Sequence, residues 1–131
     1  MPSVLNPPTI APLEVHAARL STKLALVDDR PDGSLVTWTF QDLNQEANRL
    51  TNVLREVGVQ PGDPVVWCGP NSLGLVRAIH ACSRAGAVAI PLNYRLTPEE
   101  SAYIVDHSDA VVVYVKHNPG CRLAILVEKA L

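Results

Sequence analysis

The chain has 131 residues, a size that gives one modest core and buries roughly two-thirds of the surface exposed by the unfolded chain. With 47% hydrophobic and 18% charged residues it has the composition of a globular protein and is too apolar for a disordered one. A net charge of -2 offers no basic surface for nucleic acid or an anionic membrane, and no run reaches the roughly 18 apolar residues of a membrane span.

Residues 1–14 read as an extended arm, because Pro2, Pro7, Pro8 and Pro12 remove backbone donors and bias their predecessors away from helix. The arm has no basic n-region followed by an apolar run, so it is not a secretory signal, and a cytoplasmic location is expected. Residues 15–131 are expected to form a partial α/β subdomain. It opens with a short helix over Val15 to Leu20 and a hairpin of two strands, Lys23 to Val27 and Leu35 to Thr39. The turn Asp29-Arg30-Pro31-Asp32-Gly33 would join them.

A helix follows, capped by Thr39 with Asp42 three residues on. Its apolar positions Leu43, Ala47, Leu50, Leu54 and Val57 step by four, three, four and three, which makes one buried stripe, and Gly58 ends it. Strand and helix then alternate: strand Pro64 to Cys68, helix Ser72 to Ala85, strand Val88 to Leu92, helix Pro98 to Ser108, strand Ala110 to Val115. The unbroken apolar run Val111-Val112-Val113-Tyr114-Val115 suits a parallel sheet covered on both faces. Thr97, Pro98 and Glu100 mark the start of the last of these helices. The turn Asn118-Pro119-Gly120 and a helix from Arg122 complete the expected elements. The fold class is α/β, a small parallel-rich sheet flanked by helices with right-handed crossovers and an N-terminal hairpin.

Cys68, Cys82 and Cys121 lie far apart without CxxC spacing, so neither a disulfide framework nor a zinc site is expected, and they read as core or surface thiols of a reducing compartment. The turn Gly69-Pro70-Asn71-Ser72 leaves a strand and opens a helix, a place where open parallel sheets bind anionic ligands. Its plainer reading is a helix cap by Asn71 or Ser72. His80 and Cys82 are two residues apart on a helix and diverge, where metal ligands need three or four. Asp106-His107-Ser108 has the letters of a hydrolase triad without a GxSxG elbow, and reads as a solvated helix end. Glu99-Glu100 and Asp28-Asp29 read as a helix-dipole pair and a turn. Trp38, Trp67, Tyr94 and Tyr103 show no interleaving with basic residues of the kind base stacking needs. No residue is assigned to catalysis or to a metal, and no cofactor-binding residue is identified.

Thr37-Trp38-Thr39-Phe40-Gln41-Asp42-Leu43, Ala47-Asn48-Arg49-Leu50, Gly58-Val59-Gln60-Pro61-Gly62-Asp63 and Ala85-Gly86-Ala87-Val88-Ala89-Ile90-Pro91-Leu92-Asn93 follow one another in order. With Asn71-Ser72, Tyr94-Arg95-Leu96-Thr97 and Tyr103 to Ala110, the series resembles the opening of the AMP-forming acyl-CoA synthetases, an adenylate-forming family. That resemblance implies the N-terminal subdomain of a ligase converting a carboxylate, ATP and coenzyme A to acyl-CoA, AMP and pyrophosphate. It further implies that ATP, Mg and coenzyme A serve the full-length enzyme. No cofactor is expected for this chain alone, since the family's phosphate loop and catalytic lysine come later than Leu131. Lys23, Lys116 and Lys129 match none of its lysine motifs. Partners would be the remainder of the ligase, or a second copy through exposed sheet edges. The alternatives are a stand-alone scaffold or interaction domain derived from such an enzyme, and a nucleotide-binding module built on Gly69 to Ser72.

Overall fold

The computed structural model describes residues 12–117 and 120–125. They divide into two compact units, residues 1–45 and 46–131.

The first unit holds helix α1 (Leu13–Arg19) and strands β1 (Leu24–Asp29) and β2 (Leu35–Thr39). The helix starts two residues earlier than the expected Val15, directly after Pro12, so Leu13 and Glu14 do not belong to an extended arm. Residues 1–11 of that arm lie outside the described residues. The two strands pair antiparallel as expected, with Val27 opposite Thr37 and Asp29 opposite Leu35. Because pairing continues to Asp29, Asp28 and Asp29 sit in a strand and not in the turn, and successive residues of a strand face opposite ways. The turn is Arg30 to Gly33, closed by Gly33 N–H to Arg30 C=O at 2.9 Å. The carboxylate of Asp32 accepts from Ser34 N–H at 2.8 Å and from its hydroxyl at 2.6 Å. Leu24, Val27 and Leu35 share one hairpin face and are all more than half exposed (53, 54 and 63%).

Helix α2 (Phe40–Glu56) begins at the expected box: Asp42 N–H donates to Thr39 Oγ1 at 3.1 Å and Thr39 N–H to Asp42 Oδ2 at 2.9 Å. The expected stripe is buried at Leu43, Ala47, Leu50 and Leu54. The helix closes with Gly58 N–H on Arg55 C=O and Val59 N–H on Leu54 C=O, at 3.1 and 3.0 Å. This paired closure needs a left-handed residue, and Gly58 supplies it at φ 95°.

The second unit is built on β3 (Pro64–Cys68), α3 (Leu73–Ala85), β4 (Val88–Leu92), α4 (Pro98–His107), β5 (Val112–His117) and β6 (Gly120–Ile125). The sheet order is β4-β3-β5-β6, parallel at β4-β3 and β3-β5 and antiparallel at β5-β6. Alternation along β3 separates two apolar layers. Val65 and Trp67 join Leu50, Leu54, Ala78, Ala81 and Cys82 on the side of α2 and α3. Val66 and Cys68 join Leu92, Ile104, Val105 and Val113 on the side of α4. The β3–α3–β4 and β4–α4–β5 connections travel in opposite directions along the sheet and use opposite faces, so they share one hand, as chirality requires of such units. Leu54, Val66 and Val112 are fully buried, each contributing about 1.5–3 kcal/mol through removal from water.

The C-terminal segment corrects the sequence reading. Gly120–Ile125 is a strand paired with β5, with Lys116 opposite Cys121 and Val112 opposite Ile125, where a helix from Arg122 was expected. A short apolar run is ambiguous between the two states, and the free edge of β5 offers this one a ladder of backbone partners. Asn118 and Pro119 of the expected turn, and the segment beyond Ile125, lie outside the described residues. At the opposite edge, β4 carries the exposed Pro91, which lacks a donor and so blunts that edge against further pairing.

Candidate functional site

The carboxyl ends of β3 and β5 lie side by side, since Cys68 pairs with Val115. The next residues, Gly69 and Lys116, are therefore neighbours. A Cβ on Gly69 would stand 2.9 Å from the Lys116 Cβ and 3.1 Å from Trp67 Cζ2, so this crossing tolerates only glycine. Lys116 follows Val112 and Tyr114 on the face of the sheet covered by α3, which places it beside the turn Gly69 to Ser72.

Ser72 has the extended backbone of an N-cap (φ −167°, ψ 173°), yet its side chain makes no cap bond. Its Oγ is buried and finds no hydrogen-bond partner among the described residues. The capping role expected of Ser72 is therefore not what its hydroxyl does, and Asn71 is exposed. No acidic residue occupies the first turn of α3 either.

Behind the turn runs a polar chain that sequence spacing gave no means of finding. Arg77 of α3 donates from Nη1 to Glu46 Oε2 at 3.0 Å and from Nη2 to the Tyr114 hydroxyl, and its guanidinium lies 5.8 Å from the centre of the Tyr114 ring. Tyr114 in turn packs on Trp67 with ring centres 5.2 Å apart. Glu46 also accepts from Arg49. The partners of Arg77 are 31 and 37 residues away in sequence. Other polar links hold α2 to α3: Thr51 Oγ1 to Ala81 C=O, Arg55 to Arg84 C=O, and Arg84 to Asn48 Oδ1.

The remaining candidates are not assembled. Cys82 is 2% exposed in the core, where burial pushes its thiol up to about 11, and His80, two residues away on the same helix, is half-buried. The Ser108 hydroxyl donates to Val105 C=O and His107 stacks on Tyr103 with centres 5.4 Å apart, which leaves no triad. Glu100 is occupied by the α4 cap, accepting from Thr97 N–H at 2.9 Å, and Glu99 is exposed beside it. Arg95 lies over Tyr94, with its guanidinium 5.6 Å from the ring centre, and its N–H donates to Asn93 Oδ1. Cys68 is a free, half-buried thiol. Lys129 lies outside the described residues. No group of three His, Cys, Asp or Glu side chains able to hold a metal ion occurs among the described residues. No helix among them is long and apolar enough to cross a membrane.

What the arrangement provides is a parallel-sheet scaffold with one polar corner, and comparison with known proteins places that scaffold. The sequence profile of the family described as AMP-binding enzyme matches residues 13–130, and the chain belongs to that family. It is 38% identical over 118 residues to a feruloyl-CoA synthase from an Amycolatopsis species, covering 89% of this chain and 23% of that protein. It is 40% identical over 105 residues to a 3-oxocholest-4-en-26-oate–CoA ligase from Rhodococcus rhodochrous, covering 79% of this chain and 18% of that protein. The solved structure of a fatty acyl CoA synthetase from Mycobacterium tuberculosis superimposes with a TM-score of 0.72 at 32% identity, over 79% of this chain and 20% of that one. The chain thus spans less than a quarter of the length of these relatives. The mixed sheet flanked by helices is the architecture of the N-terminal domains of adenylate-forming ligases.

Proposed function

We propose that this chain supplies the N-terminal part of an AMP-forming acyl-CoA synthetase and has no catalytic activity by itself. The parent reaction would join a carboxylate, fatty or aryl, to coenzyme A with cleavage of ATP to AMP and pyrophosphate. ATP, Mg and coenzyme A would be bound by the parent enzyme, in the cytoplasm, where the reaction finds its co-substrates. Residues 13–131 would form the partial subdomain, with residues 1–12 preceding it. The observation that carries this reading is the agreement of the fold with the opening domain of acyl-CoA ligases, combined with a residue set that serves packing: stripes, caps and turns. ATP–pyrophosphate exchange tests it. The purified chain, offered a panel of fatty and aryl carboxylates, should give none, and exchange above a blank would refute the inactivity.

One observation favours a second reading, a stand-alone scaffold or interaction domain. The hairpin face that carries Leu24, Val27 and Leu35, alongside Asp29 and Thr37, exposes three large apolar side chains, the kind of surface that another protein segment covers. The intact mass of the protein in its source cells separates the two. A mass several times 14.2 kDa supports the ligase segment, and a mass near 14.2 kDa supports the separate scaffold.

A further inference from the structure

We infer that Asp32 is a modification site: the Asp32–Gly33 peptide bond converts to an isoaspartyl linkage when the hairpin turn opens, and Ser34 restrains that conversion. This lies outside the ligase chemistry and rests on residues of the first unit alone. Among the aspartates of the chain, Asp32 alone precedes a glycine. The reaction is intramolecular. The Gly33 backbone nitrogen attacks Asp32 Cγ and gives up its proton, and a water molecule leaves from the carboxyl group, closing a five-membered succinimide. Water then adds at either ring carbonyl. Opening at the Asp32 main-chain carbonyl leaves the chain running through Cβ and Cγ with the α-carboxylate pendant, so the net change is an isomerisation.

Nothing obstructs ring closure: residues 30–34 are all exposed, and even a Cβ on Gly33 would meet no atom within 4 Å. The carboxyl group is already folded against the Gly33 peptide. Asp32 Oδ1 accepts from Ser34 N–H, two residues on, at 2.8 Å, and that bond encloses the intervening peptide in its ring. The strands that hold the turn bury no residue, since every position of β1 and β2 is exposed or half-buried. An isolated two-stranded hairpin is marginal in water, so the turn opens at a low free-energy cost.

Two contacts hold the reaction back while the turn is closed. Gly33 N–H is donated to Arg30 C=O at 2.9 Å, which engages the nucleophile. The Ser34 hydroxyl donates to the same Oδ1 at 2.6 Å, and with the Ser34 backbone N–H it holds the Asp32 carboxyl below its ordinary pKa and so ionised. A carboxylate has no hydroxyl to lose as water, so Ser34 keeps the electrophile in its unreactive form. Opening the turn releases both groups together. The product is one carbon longer between Asp29 and Leu35, the pair that closes β1 against β2, which slackens the register at that end.

The test is incubation of the purified chain at pH 6 and 37 °C, followed by peptide mapping with chromatography and electron-transfer fragmentation, which tell the isomers apart at equal mass. Isoaspartate should accumulate at Asp32 and not at Asp28, Asp29 or Asp109. Asp32→Glu, which would have to close a six-membered ring, should leave this peptide bond unchanged. Ser34→Ala should raise the rate about fivefold, the equivalent of one hydrogen bond, while Ser34→Thr, which keeps the hydroxyl, should stay near the wild-type rate. In urea, where the turn is open in every chain, wild type and Ser34→Ala should react alike and faster than the native wild type. Absence of isoaspartate at Asp32, or its formation at the other aspartates at the same rate, overturns the site. An unchanged rate in native Ser34→Ala, or a difference between the two chains that persists in urea, overturns the restraint.

Discussion

Gly69 and Lys116 pass so closely that a Cβ on the glycine would lie 2.9 Å from the Cβ of the lysine, inside the distance real carbon atoms keep. The contact is between main-chain-proximal atoms and cannot be relieved by rotating the lysine side chain. Gly69→Ala should therefore lower stability by about 1–3 kcal/mol, as overpacked sites do, measured by urea unfolding. Lys116→Ala, which retains the Cβ, should not rescue it. Recovery in that double variant would show that the lysine stem and not the backbone approach sets the constraint.

Arg77 joins Glu46, Tyr114 and, through the Tyr114 ring, Trp67. The side chains of Arg77 and Glu46 are each 22% exposed, so water screens the pair in part. Tyr114→Phe removes an acceptor of a charged donor and should cost about 1.5–3 kcal/mol. Arg77→Met also leaves the Glu46 carboxylate, among the described residues, with the exposed Arg49 alone, and should cost as much or more, though less than the roughly 3–5 kcal/mol of a fully buried broken pair. A double-mutant cycle between the two positions should give a coupling of about 1 kcal/mol; purely additive effects would mean that the hydrogen bond contributes nothing to stability.

Helix α4 buries no residue completely, so its ends matter more than they would on a core helix. Thr97 and Glu100 satisfy each other's backbone N–H, at 3.2 and 2.9 Å. Thr97→Ala should destabilise by about 1 kcal/mol, and Thr97→Ser by little, because a serine hydroxyl accepts the same bond. Amide exchange should quicken first in residues 99–101, and equal protection in Thr97→Ala would show that the helix is held by its packing alone.

Local rules explain why these caps, the α2 stripe and the strand–helix alternation are legible in the sequence: each depends on residues close to one another along the chain. What the sequence concealed depends on distant partners. The segment from Gly120 becomes a strand only because β5 has an edge to offer, and Asp28 and Asp29 join β1 because Val36 and Leu35 reach across to pair with them. At the candidate site, the Gly69 to Ser72 turn was visible as a strand-to-helix junction, whereas Lys116 and Trp67 were not visible as its companions. Lys116 arrives there because β5 inserts beside β3 in parallel register, Val115 against Cys68, after the chain has passed through β4 and α4. Ser72 shows the converse: the right residue type at the cap position, with a hydroxyl that does not cap.

Cys82 offers a test of the core that needs no binding partner. It is 2% exposed, and burial among Leu50, Leu54, Ala78 and Ala81 raises its thiol from 9.0 to about 11, because an apolar surround disfavours the thiolate. Thiolate is the reactive form, so at pH 8 iodoacetamide should label Cys68 well before Cys82 in the native chain and both alike in urea, followed by peptide mass mapping. The sign of the linkage follows from the same shift. Above the ordinary value of 9.0 the unfolded chain releases this proton while the folded chain keeps it, so stability should fall as pH rises from 9.0 toward about 11. Cys82→Ala should lose that part of the pH slope while paying a small, pH-independent packing penalty. An unchanged slope between pH 9 and 11, or labelling of Cys82 at the rate of Cys68, would mean that the core between α2, α3 and the sheet opens to solvent on the timescale of the reaction.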